Sequence, residues 1–438
     1  MFSAENKLGE ALRAAREERN CFRFMCIDLQ ILVCKKTISK KLDMKKYDFL
    51  IIGAGIYGIT AAVALRQRKH SVGVLNPGTI PHPLAASTDI SKAVRMEYGA
   101  DREYMDMAEA AIEGWQDWND LFRDTLYHEV GFLMLRKHPA DSNSFEKTSY
   151  DNLILKGFRP ERLDASAIQR RFPAFETGAY SEAFFNSKAG FAESGRVVKT
   201  LADYAAQLGV EIYTGQTVEH FEQIGGRVVA VRTREGAQFE TGHVVVCAGV
   251  HTPILVPALK PFFHITGHPV FHLRPSRPEL FAPAQFAVFT ADISNTGWYG
   301  FPLHPREGVV KIANHGIGTE LHPDDERIVN EEDVRQLQQF LRESLPALAD
   351  DPIVFTRRCL YDDTLDGHFW IDRHPNIENL TVAAGGSGHA LKMAPVLGDM
   401  IAEVAVGGVH RWSARYRWRH LSRETKQEEE ARFKGQKR

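Results

Sequence analysis

The stretch KKYDFLIIGAGIYGITAAVALRQRKHSVGVL, residues 45–75, decides the fold. YDFLII, starting at Tyr47, is a short apolar run of the kind that forms a buried strand. GAGIYG turns the chain, ITAAVALRQR carries small and apolar residues at helical spacing, and SVGVL reads as a second parallel strand. Strand, turn, helix and strand in that order make a βαβ unit. Gly53 permits the tight turn, Gly55 lets the backbone approach a pyrophosphate, and Gly58 lets the helix pack closely on the strand. The helix start, with Ile56 and Tyr57, offers free N–H groups to phosphate oxygens. A dinucleotide site is therefore expected over residues 53–58. An acid is expected at the end of the second strand to bind the ribose hydroxyls; Asn76 stands there instead, able both to donate and to accept.

Outward from this unit, 438 residues with 44% hydrophobic and 25% charged content allow two or three domains with sizeable cores. The formal charge is -2, and no basic stripe interleaved with aromatics runs through the body of the chain, so nucleic acid is not an expected partner. Cys21, Cys26 and Cys34 crowd into the first stretch without metal-type spacing, and the five cysteines form no disulfide framework, which points to a reducing, cytoplasmic compartment. The apolar stretch 22–34 is broken by Arg23, Asp28 and Gln30 and falls short of the ~20 residues that cross a bilayer, so no membrane partner is expected. Residues 1–43 look unlike the rest of the chain and read either as a docking or regulatory extension or as a start placed too early before Met44. Glu5, Glu10, Glu17 and Glu18 argue against an organellar transit peptide. The ending KGQKR is not an SKL-type peroxisomal address, and the charged tail SRETKQEEEARFKGQKR is expected to fray into solvent.

Between the two ends, EYMDMAEAAIEGWQDWNDLF is an amphipathic helix and GFLML a strand. GFAESGRVVKTLADYAAQLGVEIYTG and the residues after it give a helix, a strand pair turning at Gly225 and Gly226, and the strand HVVVCAG, which can rejoin the first parallel sheet. QFAVFTAD, GWYGFP and VVKIANHG alternate as strands before the helix EEDVRQLQQFLRESL, the make-up of a second, antiparallel sheet domain. The fold class is α/β: a Rossmann-type nucleotide domain with an interleaved antiparallel-sheet substrate domain. Residues 44–100, 185–255 and 355–410 are assigned to the nucleotide domain, 101–184 and 256–354 to the substrate domain, and 411–438 to the tail.

A second stretch, CLYDDTLDGHFWIDRHPNIENLTVAAGGSGHALKMAP at 359–395, brings a thiol, a glycine-rich turn and a lysine toward one place. Lys311, in the strand pattern VVKIA, would be costly facing a core without a partner or a task. No Ser/His/Asp order or zinc spacing competes for a catalytic role, and no metal is expected; DGH at 366–368 and DRH at 372–374 read as surface hydrogen-bonders.

From residue 44 to about 408 the chain resembles the monomeric sarcosine oxidase family of flavoproteins and its relatives, the N-methyltryptophan and fructosyl amino acid oxidases. The resemblance rests on GAGIYG, RMEYGADREY at 95–104, WYGFP at 298–302, VVKIANH at 309–315, CLYDDTLDGHFWID at 359–372 and SGHALK at 387–392, all in family order. It implies a D-amino-acid-oxidase-like fold with FAD as cofactor, bonded through Cys359 to the flavin 8α-carbon. It also implies that Arg95 and Lys392 clamp a substrate carboxylate, and that Lys311 sits above the flavin and favours its reaction with O2. Tyr361 and His315 would line the substrate side, and Lys92, Gly386, Ser387, Gly388, His389 and Lys392 would border the cofactor.

Three departures from the sarcosine oxidases fall near the ring: Thr88 replaces a histidine, Lys92 an arginine and Gly386 a phenylalanine. Pocket shape should differ accordingly, and sarcosine is not the expected substrate. The resemblance implies an oxidase of a carboxylate-bearing secondary amine: hydride passes to flavin N5, the imine is hydrolysed, and O2 becomes H2O2. The expected partners are thus a small amine and O2, the expected state a monomer. A dehydrogenase using another electron acceptor, or a non-catalytic flavin protein, is the alternative.

Overall fold

The computed structural model describes residues 45–139, 144–422 and 431–432, so the extension 1–43 and most of the charged tail lie outside the described residues. Lys46–Ile52 forms the predicted first strand, and its last four residues are buried. It pairs in parallel with both neighbours, Ile52 lying opposite Leu75 of Val72–Asn76 on one side and Val246 of Gln238–Val246 on the other. Apolar residues at successive positions suit such a strand because both of its faces are covered: Phe49 and Ile51 pack in a core shared with helices, and Leu50 and Ile52 in one shared with Val231, Phe239 and Leu259. Glu211–Thr214 extends the sheet in parallel beyond Val72–Asn76, and Leu380–Ala384 adds to Gln238–Val246. Segments more than 300 residues apart in sequence thereby share one sheet of eight strands.

Gly53 adopts φ +100°, and Gly58 packs so tightly that a Cβ would lie 1.9 Å from the Gly53 carbonyl oxygen. The helix Ile56–Gln67 therefore starts directly against the strand that precedes it. Ala394–Ala405 and Ser194–Gln207 pack beside it.

The second sheet has nine strands and is antiparallel except where Val288–Ala291 runs parallel to Phe132–Arg136. Its long members are Phe263–Leu273 and Ile353–Thr364, paired from Phe263 opposite Thr364 to Leu273 opposite Ile353. This corrects the expected domain boundary: residues 355–364, assigned to the nucleotide domain, belong to the second sheet. The chain crosses only after Thr364, and Trp370–Arg373 then pairs with Leu380–Ala384 in the first sheet. An apolar strand has no intrinsic preference between two sheets; cross-strand partners decide it.

Alternation sorts this second sheet. Phe271, Leu273, Val310 and Ile312 turn to a core covered by the helix Glu331–Ser344, with Leu337, Phe340 and Leu341 beneath it. Residues of the opposite parity turn to the other face, where the candidate site lies.

The tail also needs correction. Trp412 and Tyr416 are buried in the main core, and Arg419 pairs with Asp366, so the packed body runs past residue 411. Ala431 and Arg432 are buried rather than frayed, because Arg432 supplies the counter-cation, at 2.7 Å, for the buried carboxylate of Asp363.

Candidate active site

At the glycine turn, the helix start has Gly55 as its N-cap, and no described side chain caps it. Its first-turn N–H groups are thus available to an anion. Asn76 braces the turn: its Oδ1 accepts from the Ala54 N–H at 3.1 Å, while its Nδ2 donates to the carbonyls of Gly78 and Thr79. A ribose contact would have to use the remaining lone pair of Oδ1.

The site face of the second sheet is set by register. Cys359 lies opposite His268, Tyr361 opposite Thr266 and Arg357 opposite Val270 on the two long strands. On the other side of Phe263–Leu273, Lys311 lies opposite His272 and Ala313 opposite Val270, with Tyr299 opposite Ala313 one strand further. Cross-strand partners project to the same side, so one face carries Cys359, Tyr361, Tyr299, Lys311, His268 and His272. Tyr361 stacks on His268 with ring centroids 4.1 Å apart, and His315 lies 6.0 Å from Tyr361. Burial holds the His268 imidazole well below the usual histidine range.

Lys311 is 1% exposed and has the partner its burial requires: Nζ lies 2.6 Å from Asp89 Oδ2 and 2.5 Å from the Ser91 carbonyl. Burial pushes its ammonium down to about 8, against the opposing pull of Asp89. Burial works upward on the Asp89 carboxyl, yet Lys311, with His272 and Lys92 behind it, holds that carboxyl well below the usual carboxylate range. Lys92 Nζ is 3.9 Å from Asp89 and 3.8 Å from Cys359 Sγ. Lys311, Lys92 and Cys359 are therefore brought together around a carboxylate that was not singled out in the sequence.

Arg95 and Lys392 converge as well. Both lie against the Tyr98 ring, at 5.3 and 4.8 Å from its centroid. Both line a cavity of about 70 Å³ together with Lys92, Tyr299, His315 and Tyr361. Residues 385–389 turn beside it. Ser387 adopts φ +44°, and a Cβ at Gly388 would lie 2.4 Å from the Tyr361 ring. The Gly385 N–H donates to Asp362, whose carboxyl burial pushes up to about 6. His389 Nε2 is 3.1 Å from the Gly367 carbonyl, which can only accept, so Nδ1 accepts from the Tyr98 hydroxyl at 3.0 Å. His389 is in this way engaged in bracing the turn against Tyr98.

Sequence reasoning missed Asp89, Tyr98, Tyr299 and His268. Tyr98 and Tyr299 lie within the quoted stretches RMEYGADREY and WYGFP, and Asp89 is an acid three residues before Lys92 (ASTDISK), but a loop aspartate in such a place is ordinarily solvated; His268 had no signal.

The arrangement suits a dinucleotide. Eight buried hydroxyls have no hydrogen-bond partner among the described residues, and three of them belong to Tyr57, just behind the glycine turn, and to Thr88 and Ser91 beside Asp89. Buried polar groups seldom stay unsatisfied, and a polar cofactor along this path would supply partners. No cluster of metal-ligating side chains occurs among the described residues.

A sheet with a parallel centre and a phosphate-ready turn, joined to a second sheet whose buried face carries a thiol and cations, is the plan of a dinucleotide-dependent oxidoreductase. A family profile described as FAD dependent oxidoreductase (DAO) matches residues 48–404, and the chain belongs to that family, with FAD as its cofactor. It is similar to the L-saccharopine oxidase of Schizosaccharomyces pombe, 28% identical over 84% of this chain and 92% of that one. It is also similar to a monomeric sarcosine oxidase of Bacillus sp., 25% identical over 83% of this chain and 93% of the other. Among solved structures, fructosyl amine: oxygen oxidoreductase (Amadoriase I) of Aspergillus fumigatus has the same fold. Its TM-score is 0.74 at 24% identity, covering 87% of this chain and 90% of that one.

Proposed function

We propose that the protein is an FAD-dependent oxidase of a secondary amine that bears a carboxylate, of the N-alkyl amino acid type. The observation that supports this reading above others is the meeting of Arg95 and Lys392 at one aromatic ring and in one cavity that Tyr361 and His315 also line. Two converging cations orient an anion as well as bind it. Sarcosine and saccharopine, for which two of the relatives are named, are both secondary amines with carboxylates.

In this reading Arg95 and Lys392 hold the carboxylate, while Tyr361 and His315 wall the amine against the ring. Cys359, the buried free thiol of the site face, tethers the flavin as a thioether. FAD, when bound, would supply the redox chemistry, two-electron oxidation of the C–N bond to an imine that water hydrolyses, with O2 reduced to H2O2. Lys311 supplies a fixed positive charge for the oxygen step. Thr88, Lys92 and Gly386 set a pocket different from that of the sarcosine oxidases. The chain acts as a cytoplasmic monomer in this reading; no described helix is long and apolar enough to cross a membrane, and gel filtration with cell fractionation checks both statements.

The test is an anaerobic screen for bleaching of the flavin absorbance with N-methyl amino acids, cyclic amino acids and glycated amines, with oxygen-electrode assays on any that bleach it. Bleaching with a carboxylated secondary amine and substrate-dependent O2 uptake are expected. Bleaching that requires an artificial acceptor for turnover would make the protein a dehydrogenase. No bleaching with any amine would make it a non-catalytic flavin protein.

A further inference from the structure

We propose that Asp89 is a positioning residue of the site, holding the Lys311 ammonium on the Cys359 face of the sheet and keeping it charged. This rests on the reading of Lys311 as the cation beside the bound flavin.

Lys311 and His272 are cross-strand partners, so both side chains leave the sheet on the same side, and both meet Asp89: Lys311 at 2.6 Å and His272 at 3.4 Å on the other carboxylate oxygen. Asp89 is the one carboxylate within ion-pair distance of either Lys311 or Lys92 among the described residues. It faces the ammonium groups of Lys311 and Lys92, the Arg357 guanidinium and the His272 ring, with Cys359 and Tyr299 the other titratable neighbours.

The loop that carries Asp89 is pinned from three sides. Its carbonyl accepts from the Gly195 N–H at 2.8 Å and the Ser194 hydroxyl at 2.9 Å, both from the start of Ser194–Gln207. Its own Oδ1 accepts from the Ile90 N–H, and Arg357 donates to the carbonyls of Ala85 and Thr88. Lys311, bonded to Asp89 and Ser91 and lying 4.7 Å from the Phe301 ring centroid, is held on several sides with one N–H left to offer. A buried ammonium without a counter-charge sheds its proton. Because burial brings Lys311 to about 8 even with Asp89 present, loss of that carboxylate leaves the amine largely uncharged in the mildly alkaline range where half of it is now protonated.

The experiment uses purified holoenzyme carrying Asp89→Asn, Asp89→Glu or Lys311→Met. The oxidised flavin absorbance is titrated with pH, and anaerobically reduced enzyme is mixed with O2 between about pH 6 and 9. Wild type is expected to show a spectral midpoint close to that of Lys311, and Lys311→Met to lose it. Asp89→Asn should lower the midpoint by about one unit or more, slowing reoxidation about fivefold at pH 8 and hardly at all at pH 6. Asp89→Glu should restore much of the shift, and reduction by substrate should change little. If Lys311→Met keeps the midpoint and reoxidises normally, the role of Lys311 fails. If Lys311→Met loses both but Asp89→Asn keeps the wild-type midpoint, the inference about Asp89 alone is overturned. An Asp89→Asn protein that folds and binds FAD but slows equally at every pH would also overturn it.

Discussion

Replacing Lys392 by methionine removes one of the two cations assigned to the substrate carboxylate while keeping a straight side chain of similar length. Lys392 is 7% exposed, so a residue of like volume leaves no void. Its main chain stays anchored, because the Trp115 indole N–H still donates to the Lys392 carbonyl at 2.9 Å. What is lost is one charge-assisted hydrogen bond to the substrate, worth about 1.5–3 kcal/mol, or roughly 10- to 150-fold in kcat/KM. A carboxylate bound in the ground state as in the transition state places that loss mainly in KM. The assay is initial-rate O2 uptake with the best acidic amine from the screen and with its methyl ester, alongside FAD content. The ester offers no negative charge for the ammonium to pair with, so its kcat/KM should change much less, by no more than about threefold. Equal losses for acid and ester in a variant of normal FAD content would refute the clamp.

Three further outcomes can be checked. Gly58→Ala drives a Cβ toward the Gly53 carbonyl oxygen at 1.9 Å, a rigid backbone group; it should cost about 3 kcal/mol in urea unfolding and leave the protein largely colourless, and a yellow variant of normal stability would count against the tight turn. Cys359→Ser should release the flavin into the supernatant on acid precipitation, whereas wild type keeps its colour in the pellet; colour held in the pellet of the variant would reject the tether. Burial pushes the His243 imidazole down to about 4 in the folded protein. The unfolded chain therefore binds the extra proton first, and stability present above about pH 6.5 is lost as the pH falls toward 4, by about 3 kcal/mol. His243→Gln should shrink that acid loss in urea titrations, and an unchanged slope would show that His243 is not its source.

The acid near Lys92 illustrates what was and was not legible. Arg95, Lys311, Cys359, Tyr361 and Lys392 could be picked out because motif order along the chain carried them. Asp89 could not, because its significance depends on a lysine 222 residues away. The strand holding Cys359 was legible as a strand but not as a member of the second sheet, since its register with Phe263–Leu273 is a property of the pair. Arg432 looked like part of a solvated charge run, and only the buried carboxylate of Asp363 shows why it turns inward.

The βαβ unit could be read from the sequence because the forces that make it act over a few residues. An apolar run buries on both faces, glycine alone tolerates φ +100° and a 1.9 Å approach, and small residues let the helix start against the strand. Which charges face one another was decided by tertiary structure. Pairing in antiparallel strands puts Lys311 beside His272 and Cys359 beside His268, and burial then makes the counter-ion of each charge a matter of several kcal/mol. Such long-range complementarity leaves no local periodicity in the sequence, because the partners are chosen by the fold rather than by their neighbours along the chain.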